Sequence, residues 1–318
     1  MNMEILYIVV PCYNEEAVLP ETSKRLSKKV QALISQNKIS EKSKIVFVDD
    51  GSKDSTWNII VELHKQDSMF RGIKLSRNKG HQNALLSGLM TSKESADMVI
   101  SIDADLQDDV NVIDGFVDKY LEGYDIVYGV RSSRKTDSFF KRLSAQGFYK
   151  LMSLLGVDTV YNHADCRLMS KRALDGLESF HEVNLFLRGI VPLIGYKSTE
   201  VYYERDKRFA GESKYPLKKM LGFAAEGITS FSIKPIRFIT WLGFVMFFIS
   251  IIFLIDTLIG TMAGRTITGW SSMIMSIWGI GGLQLLATGI VGEYIGKVYL
   301  ETKGRPKYFI EQYLEDGE

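Results

Sequence analysis

The chain has 318 residues, is 46% hydrophobic and 24% charged, and carries a net charge of +1. That length holds one large domain or two smaller ones, and the near-neutral balance gives no footing for nucleic acid. Cys12 and Cys166 make no redox or metal spacing and no disulfide framework. His64, His81, His163 and His181 show no zinc-type pairing. The apolar run Ile5 to Val10 is too short for a secretory signal and soon meets Glu15 and Glu16.

In chain order, Ile5 to Val10 predicts a first parallel strand that stops at Pro11. Pro20 to about Gln36 predicts a helix, with Leu26, Val30, Leu33 and Ile34 near helical spacing. Ile45 to Val48 predicts the second strand, running into Asp49-Asp50-Gly51-Ser52, a turn rich in N-cap residues. A helix from about Ser55 to Asp67 follows, then a short strand from Gly72 to Leu75. Arg77-Asn78-Lys79-Gly80-His81 leads into a helix carrying Ala84, Leu85, Gly88 and Leu89. Val99, Ile100 and Ile102 begin a buried strand that ends abruptly in Asp103, Asp105, Asp108 and Asp109. Strand alternation places Asp103 and Asp105 on one side at its end. Two such carboxylates repel unless a cation lies between them, and oxygen ligands suit Mg²⁺ or Mn²⁺ bridging a diphosphate.

Strand, loop and helix recur, with polar residues always just after the strand. That is the pattern of an α/β fold with a mostly parallel sheet, in which ligands bind at the carboxyl ends of the strands. No Gly-x-Gly-x-x-Gly follows the first strand and no Walker lysine loop occurs, which disfavours a dehydrogenase-type dinucleotide fold and a P-loop nucleotidase.

The residues PCYNEE, VDDGSKDST, RNKGHQNALLSG and DADLQD, in this order, resemble the nucleotide-sugar domain of family 2 glycosyltransferases of the Rossmann-like GT-A fold. The resemblance implies that Pro11, Tyr13, Glu15, Asp49, Asp50, Lys79, Asp103, Ala104 and Gln107 bind the donor, with Asp50 favoured for the uracil contact. It implies that Asp103, Asp105 and Gln107 lie about the metal. Ile126 to Val130 predicts a further strand ending at Arg131, and a basic cluster with Lys141 and Arg142 follows. Arginine forks match phosphate oxygens. The dolichyl-phosphate-mannose-synthase-like branch of the family implies that Arg131 and Arg142 hold a lipid acceptor's phosphate. The same branch implies a role for Asp165 and Asp105 in catalysis, Asp165 standing where the acceptor attacks. A phosphate is already ionised near neutral pH, its second pKa being about 6, so Asp165 orients the acceptor rather than deprotonating it. The segment RDKRFAGESKY resembles a loop closing over phosphates, with Arg205, Arg208 and Lys214 as its cations.

Residues 215–234 predict an amphipathic juxtamembrane helix, and spans of about 236–259 and 268–292 predict a transmembrane hairpin. Lys and Arg collect outside the pair, which places both termini and the catalytic domain (1–214) in the cytoplasm, with a tail over 297–318. Glycines in the second span give a small-residue face for close packing, within the chain or in a homo-oligomer. Over nearly its full length the chain resembles polyisoprenyl-phosphate glycosyltransferases, the bactoprenol glucosyltransferases in particular. That resemblance implies an inverting enzyme of the inner membrane that moves glucose from UDP-glucose to undecaprenyl phosphate. Two rivals are a processive polysaccharide synthase and a non-catalytic membrane scaffold. The first expects an Arg-Trp pair, and none of Trp57, Trp241, Trp270 or Trp278 follows an arginine.

Overall fold

A computed structural model describes residues 3–132, 163–183, 185–204 and 270–315, with short helical pieces between 236 and 259. The chain divides into two compact units. The first is formed by Met1–Tyr149, Thr159–Tyr215 and Arg305–Glu318, the second by Lys150–Asp158 and Pro216–Gly304.

The first unit is an α/β domain on one eight-stranded sheet. Strand β1 (Leu6–Cys12) is buried throughout, as an apolar run flanked by helices must be. Helix α1 (Leu19–Ser35) has a proline in its first turn, where the missing N–H costs nothing, and buries Leu19, Leu26, Val30 and Leu33. Then come β2 (Lys44–Asp49), α2 (Thr56–Gln66), β3 (Phe70–Leu75) and α3 (His81–Ser92). Helix α3 packs so closely on the sheet that a Cβ on Gly88 would run into Val9 and lie 2.7 Å from Val48 Cγ2. Next are β4 (Met98–Ser101), α4 (Val112–Leu121), β5 (Ile126–Arg131), β6 (His163–Ser170), α5 (Lys171–Glu178), α6 (Leu187–Leu193) and β7 (Ser198–Tyr203).

β1 pairs in parallel with both β2 and β4, β2 with β3, and β5 with β7. Strand β6 runs antiparallel between β4 and β5. This arrangement gathers the carboxyl ends of β1 to β5 and β7, and the start of β6, on one edge. The sequence reading of the termini changes in one respect. Residues 297–318 are not only a tail: β8 (Ile310–Leu314) pairs antiparallel with β3 and completes the sheet.

In the second unit, α7 (Trp270–Lys303) covers most of the second expected span. Among the described residues no helix is both long and apolar enough to cross a membrane. Parts of both expected spans, and all of residues 215–234, lie outside those residues.

Candidate active site

The first three loops of the carboxyl edge are knitted together by backbone donors. Asn14 N–H donates to Ser52 Oγ (3.0 Å), Glu15 N–H to Thr56 Oγ1 (2.9 Å), and Lys53 N–H to Asn14 Oδ1 (2.9 Å). Asp50 is buried, and its carboxylate accepts from the N–H groups of Lys79 (2.6 Å) and Gly80 (2.9 Å). Burial pushes the Asp50 carboxyl up, and those two amides draw it back. Gly51, at φ +68°, lets the second loop touch the third, since a Cβ there would lie 2.6 Å from Asn78 N. Asp49 is also buried, accepting from Ser52 N–H (3.1 Å). Asp50, favoured above for uracil, thus ties the 76–80 loop with both of its oxygens, and Lys79 enters this geometry through its backbone. Pro11 lies within β1, Glu15 is half-buried, and Tyr13 stands out from the edge with 43% of its surface exposed.

The acidic turn departs from the sequence reading. Strand β4 ends at Ser101, although Ile102 N–H still reaches Val9 O (3.1 Å). Asp103 and Asp105 therefore lie beyond the strand, and strand alternation does not pair them. They sit on a turn, with Leu106 at φ +55° and Gln107 N–H donating to Asp105 Oδ1 (3.2 Å). Thr22 of α1 anchors this turn by donating to Ala104 O (2.8 Å), while the Ala104 side chain is buried in the core.

Asp103 looks across at Asp165, which stands near the start of β6. His81, the first residue of α3, reaches both, with Nε2 at 3.6 Å from Asp103 Oδ1 and 3.8 Å from Asp165 Oδ2. Burial, and then the charges of Asp165, Asp108 and Asp105, push the Asp103 carboxyl up to about 6, with His81 opposing. Asp165 goes the other way. Burial alone would raise it, but Arg188 and Arg167 hold it below the usual carboxylate range. Arg188 grips it with Nε and Nη2, each at 2.9 Å, and buried Arg167 donates from Nη2 (3.1 Å). Two guanidiniums so placed favour the charged form of the carboxylate. It is a fixed negative charge that orients its neighbours.

Arg131 ends β5 on the same edge and lies 3.6 Å from Asp108. Arg142, Arg205, Arg208 and Lys214 lie outside the described residues. Among the described residues no three His, Cys, Asp or Glu side chains form a ready-made metal cage. A concentration of carboxylates around Asp103 and Asp105 still suits a hard divalent cation, which takes one or two carboxylates and completes its shell with substrate phosphates.

The sequence model of glycosyl transferase family 2 matches residues 7–177. The chain belongs to that family. It is a glycosyltransferase built on a GT-A-like sheet, and its match spans every strand from β1 to β6. The "Uncharacterized glycosyltransferase YkoT" of Bacillus subtilis is 59% identical over 98% of this chain and 92% of its own length. The "SfII prophage-derived bactoprenol glucosyl transferase" of Shigella flexneri is 39% identical over 96% of this chain and 97% of its own. Among solved structures, glucosyl-3-phosphoglycerate synthase from Mycobacterium tuberculosis is 18% identical, with a TM-score of 0.45 over 71% of this chain and 78% of that one, too distant to carry an argument.

Several members of the site escape sequence reasoning. Arg188 and Tyr203 belong to no motif, and only the fold brings them to Asp165 and Asp108. His81 was within a recognised stretch, but a histidine without metal spacing gives no sign of two carboxylates waiting across the sheet edge.

Proposed function

We propose that this glycosyltransferase transfers a hexose, glucose from UDP-glucose, to undecaprenyl phosphate or a related polyprenyl phosphate at the cytoplasmic face of a membrane. The observation that carries the reading is the meeting of opposite chemistries on one sheet edge: the Asp103–Asp105 turn on one side, Arg131 on the other. A donor diphosphate needs a cation between it and carboxylates, and an acceptor phosphate needs a guanidinium. The relatives named bactoprenol glucosyl transferase support the acceptor and the sugar.

Asp103 and Asp105, with Gln107 beside them, would hold Mg²⁺ or Mn²⁺. When bound, the ion neutralises charge on the departing diphosphate. Tyr13, Glu15 and Asp49 line the loops where the base and ribose would lie, and the amides tied to Asp50 keep that floor rigid. Arg131 orients the acceptor, aided in this proposal by Arg142, Arg205, Arg208 and Lys214. An acceptor phosphate oxygen forms the new bond to the anomeric carbon as the bond to UDP breaks, and UDP leaves with the electron pair. One displacement inverts that carbon.

A membrane anchor formed by spans of about 236–259 and 268–292, with a homo-oligomer packed through their helices, belongs to the same proposal. Its support is a 34-residue helix with Met273, Ile277, Leu285, Leu286 and Ile295 exposed, and exposed Phe238, Trp241, Phe244 and Phe248 in the helical pieces before it. Apolar side chains in that number need a cover, and a bilayer supplies one.

The test uses the full chain in detergent with radiolabelled UDP-glucose, undecaprenyl phosphate and Mg²⁺ or Mn²⁺. A single labelled sugar extracted with the lipid, abolished by EDTA, is the expected result. Label in a polymer would replace this reading with the processive synthase. Absence of any UDP-dependent rise in melting temperature would favour the scaffold. Binding without transfer would call for other nucleotide sugars, beginning with GDP-mannose.

A further inference from the structure

Tyr203 closes β7, and its hydroxyl donates a 2.6 Å hydrogen bond to Asp108 Oδ1 on the loop after β4. Arg131, at the end of β5, brings Nη2 to 3.6 Å from the same oxygen. Asp108 and Tyr203 are both buried. The β5–β7 ladder sets Arg131 opposite Tyr203, and Ser132 fixes the Tyr203 carbonyl with its N–H (2.9 Å) and Oγ (3.0 Å). The Tyr203 ring in turn lies against the backbone at Gly129, where a Cβ would stand 3.1 Å from Cε1. Side chains from two strands, β5 and β7, therefore converge on one oxygen of Asp108.

The Arg131–Asp108 separation exceeds a hydrogen bond, yet opposite charges this close and partly shielded from water attract strongly. Asp108 holds the guanidinium in place without a direct hydrogen bond to it. Among the described residues, the buried atoms Arg131 Nε and Asp108 Oδ2 have no hydrogen-bond partner. Buried groups left so are uncommon and mark places where a ligand or solvent completes the set. Arg131 keeps 21% of its side-chain surface open, which is where an anion can approach.

The geometry points to Asp108 as a positioning residue for the acceptor: it aims the Arg131 guanidinium at the acceptor's phosphate, and Tyr203 in turn fixes Asp108. This rests on the reading of Arg131 as an acceptor clamp. Asp108 shares its loop with Asp103 and Asp105, so one short stretch of backbone sets both the donor side and the acceptor side of the reaction.

The experiment measures binding of farnesyl phosphate, with farnesol as control, to the full chain in detergent, and separately the binding of UDP with Mn²⁺. Asp108→Asn keeps the shape and removes the charge. It is expected to weaken farnesyl phosphate by about tenfold and UDP by less than about twofold. Tyr203→Phe is expected to give about a threefold loss in the same direction. In an Arg131→Ala background, Asp108→Asn should add less than about twofold, because the two residues act as one unit. Equal loss of both ligands, or full additivity with Arg131→Ala, overturns the assignment. If Asp108→Asn does not fold, as its melting curve would show, the Tyr203→Phe comparison decides alone. A wild-type chain that binds farnesyl phosphate no better than farnesol overturns the acceptor reading itself, whereas wild-type binding with an unaffected Asp108→Asn overturns only the positioning role.

Discussion

Arg188 and Asp165 form a two-pronged pair, Nε to Oδ1 and Nη2 to Oδ2, each at 2.9 Å. Asp165 has little exposure and Arg188 comes from a different element, α6, so the pair pins that helix against the start of β6. Its geometry is the planar fork that arginine supplies and lysine cannot.

Arg188→Gln should therefore lower stability by about 1–3 kcal/mol, since it removes a charged hydrogen-bond partner from a mostly buried carboxylate. The pH dependence has a definite sign. Asp165 is depressed in the folded state, so its contribution is present above the ordinary carboxylate pKa and is lost as pH falls through the lower, folded value. In Arg188→Gln the folded value moves back toward the ordinary one, so the acid-induced loss should be smaller than in wild type and complete at a higher pH. Unfolding midpoints from neutral pH down to about pH 2 check both statements. Identical acid limbs would show that Arg188 does not set the Asp165 charge.

Asp105→Ala should leave the sheet intact, because the residue lies on a turn beyond β4 and outside the core. Transfer and the Mn²⁺-dependent rise in melting temperature with UDP should both disappear. A variant that turns over at near-normal rate would remove Asp105 from the metal site.

Gly51→Ala places a Cβ 2.6 Å from Asn78 N at a positive φ. Strain of about 1–2 kcal/mol from the left-handed conformation should be joined by displacement of the 76–80 loop. Gly123, also at positive φ but with nothing within 4 Å of a Cβ, is the control. Gly123→Ala should show the conformational cost alone and bind UDP normally, whereas Gly51→Ala should lose UDP affinity as well. Thermal unfolding and UDP titration of the two variants separate the effects.

Deletion of residues 309–318 should expose the outer edge of β3, which β8 otherwise covers over Gly72 to Leu75. It also removes the Arg71–Tyr313 hydrogen bond (3.1 Å) and the Lys74–Glu311 ion pair (3.3 Å). An uncovered edge strand is an aggregation template, so the shortened chain should melt earlier and self-associate. A monodisperse shortened chain with an unchanged melting temperature would show β8 to be dispensable.

Much of the fold was legible because its signals are local. The first three strands and the strand that begins at Ile126 are apolar runs closed by polar residues, and their observed bounds differ from the predicted ones by a residue or two. The site was legible in part, since Asp103, Asp105, Asp165 and Arg131 do come to one edge. Strand alternation does not place Asp103 and Asp105, because β4 ends at Ser101 and both residues lie on the turn that follows. The partners of Asp165 and Asp108 were not legible. Arg188 and Tyr203 sit in helix and strand segments with no motif, and a contact made across the sheet has no local spacing to reveal it. The strand at Ile310–Leu314 was hidden for the same reason, since its partner lies far back in the sequence.

That last pairing has a consequence for the order of events during synthesis. Arg71 and Tyr313 are 242 residues apart in sequence. At about 5–20 residues per second, β3 waits roughly 10–50 s on the ribosome for the strand that covers it. By then the whole of α7 has been made. Throughout the synthesis of α7 the edge of β3 that β8 will cover therefore stays open.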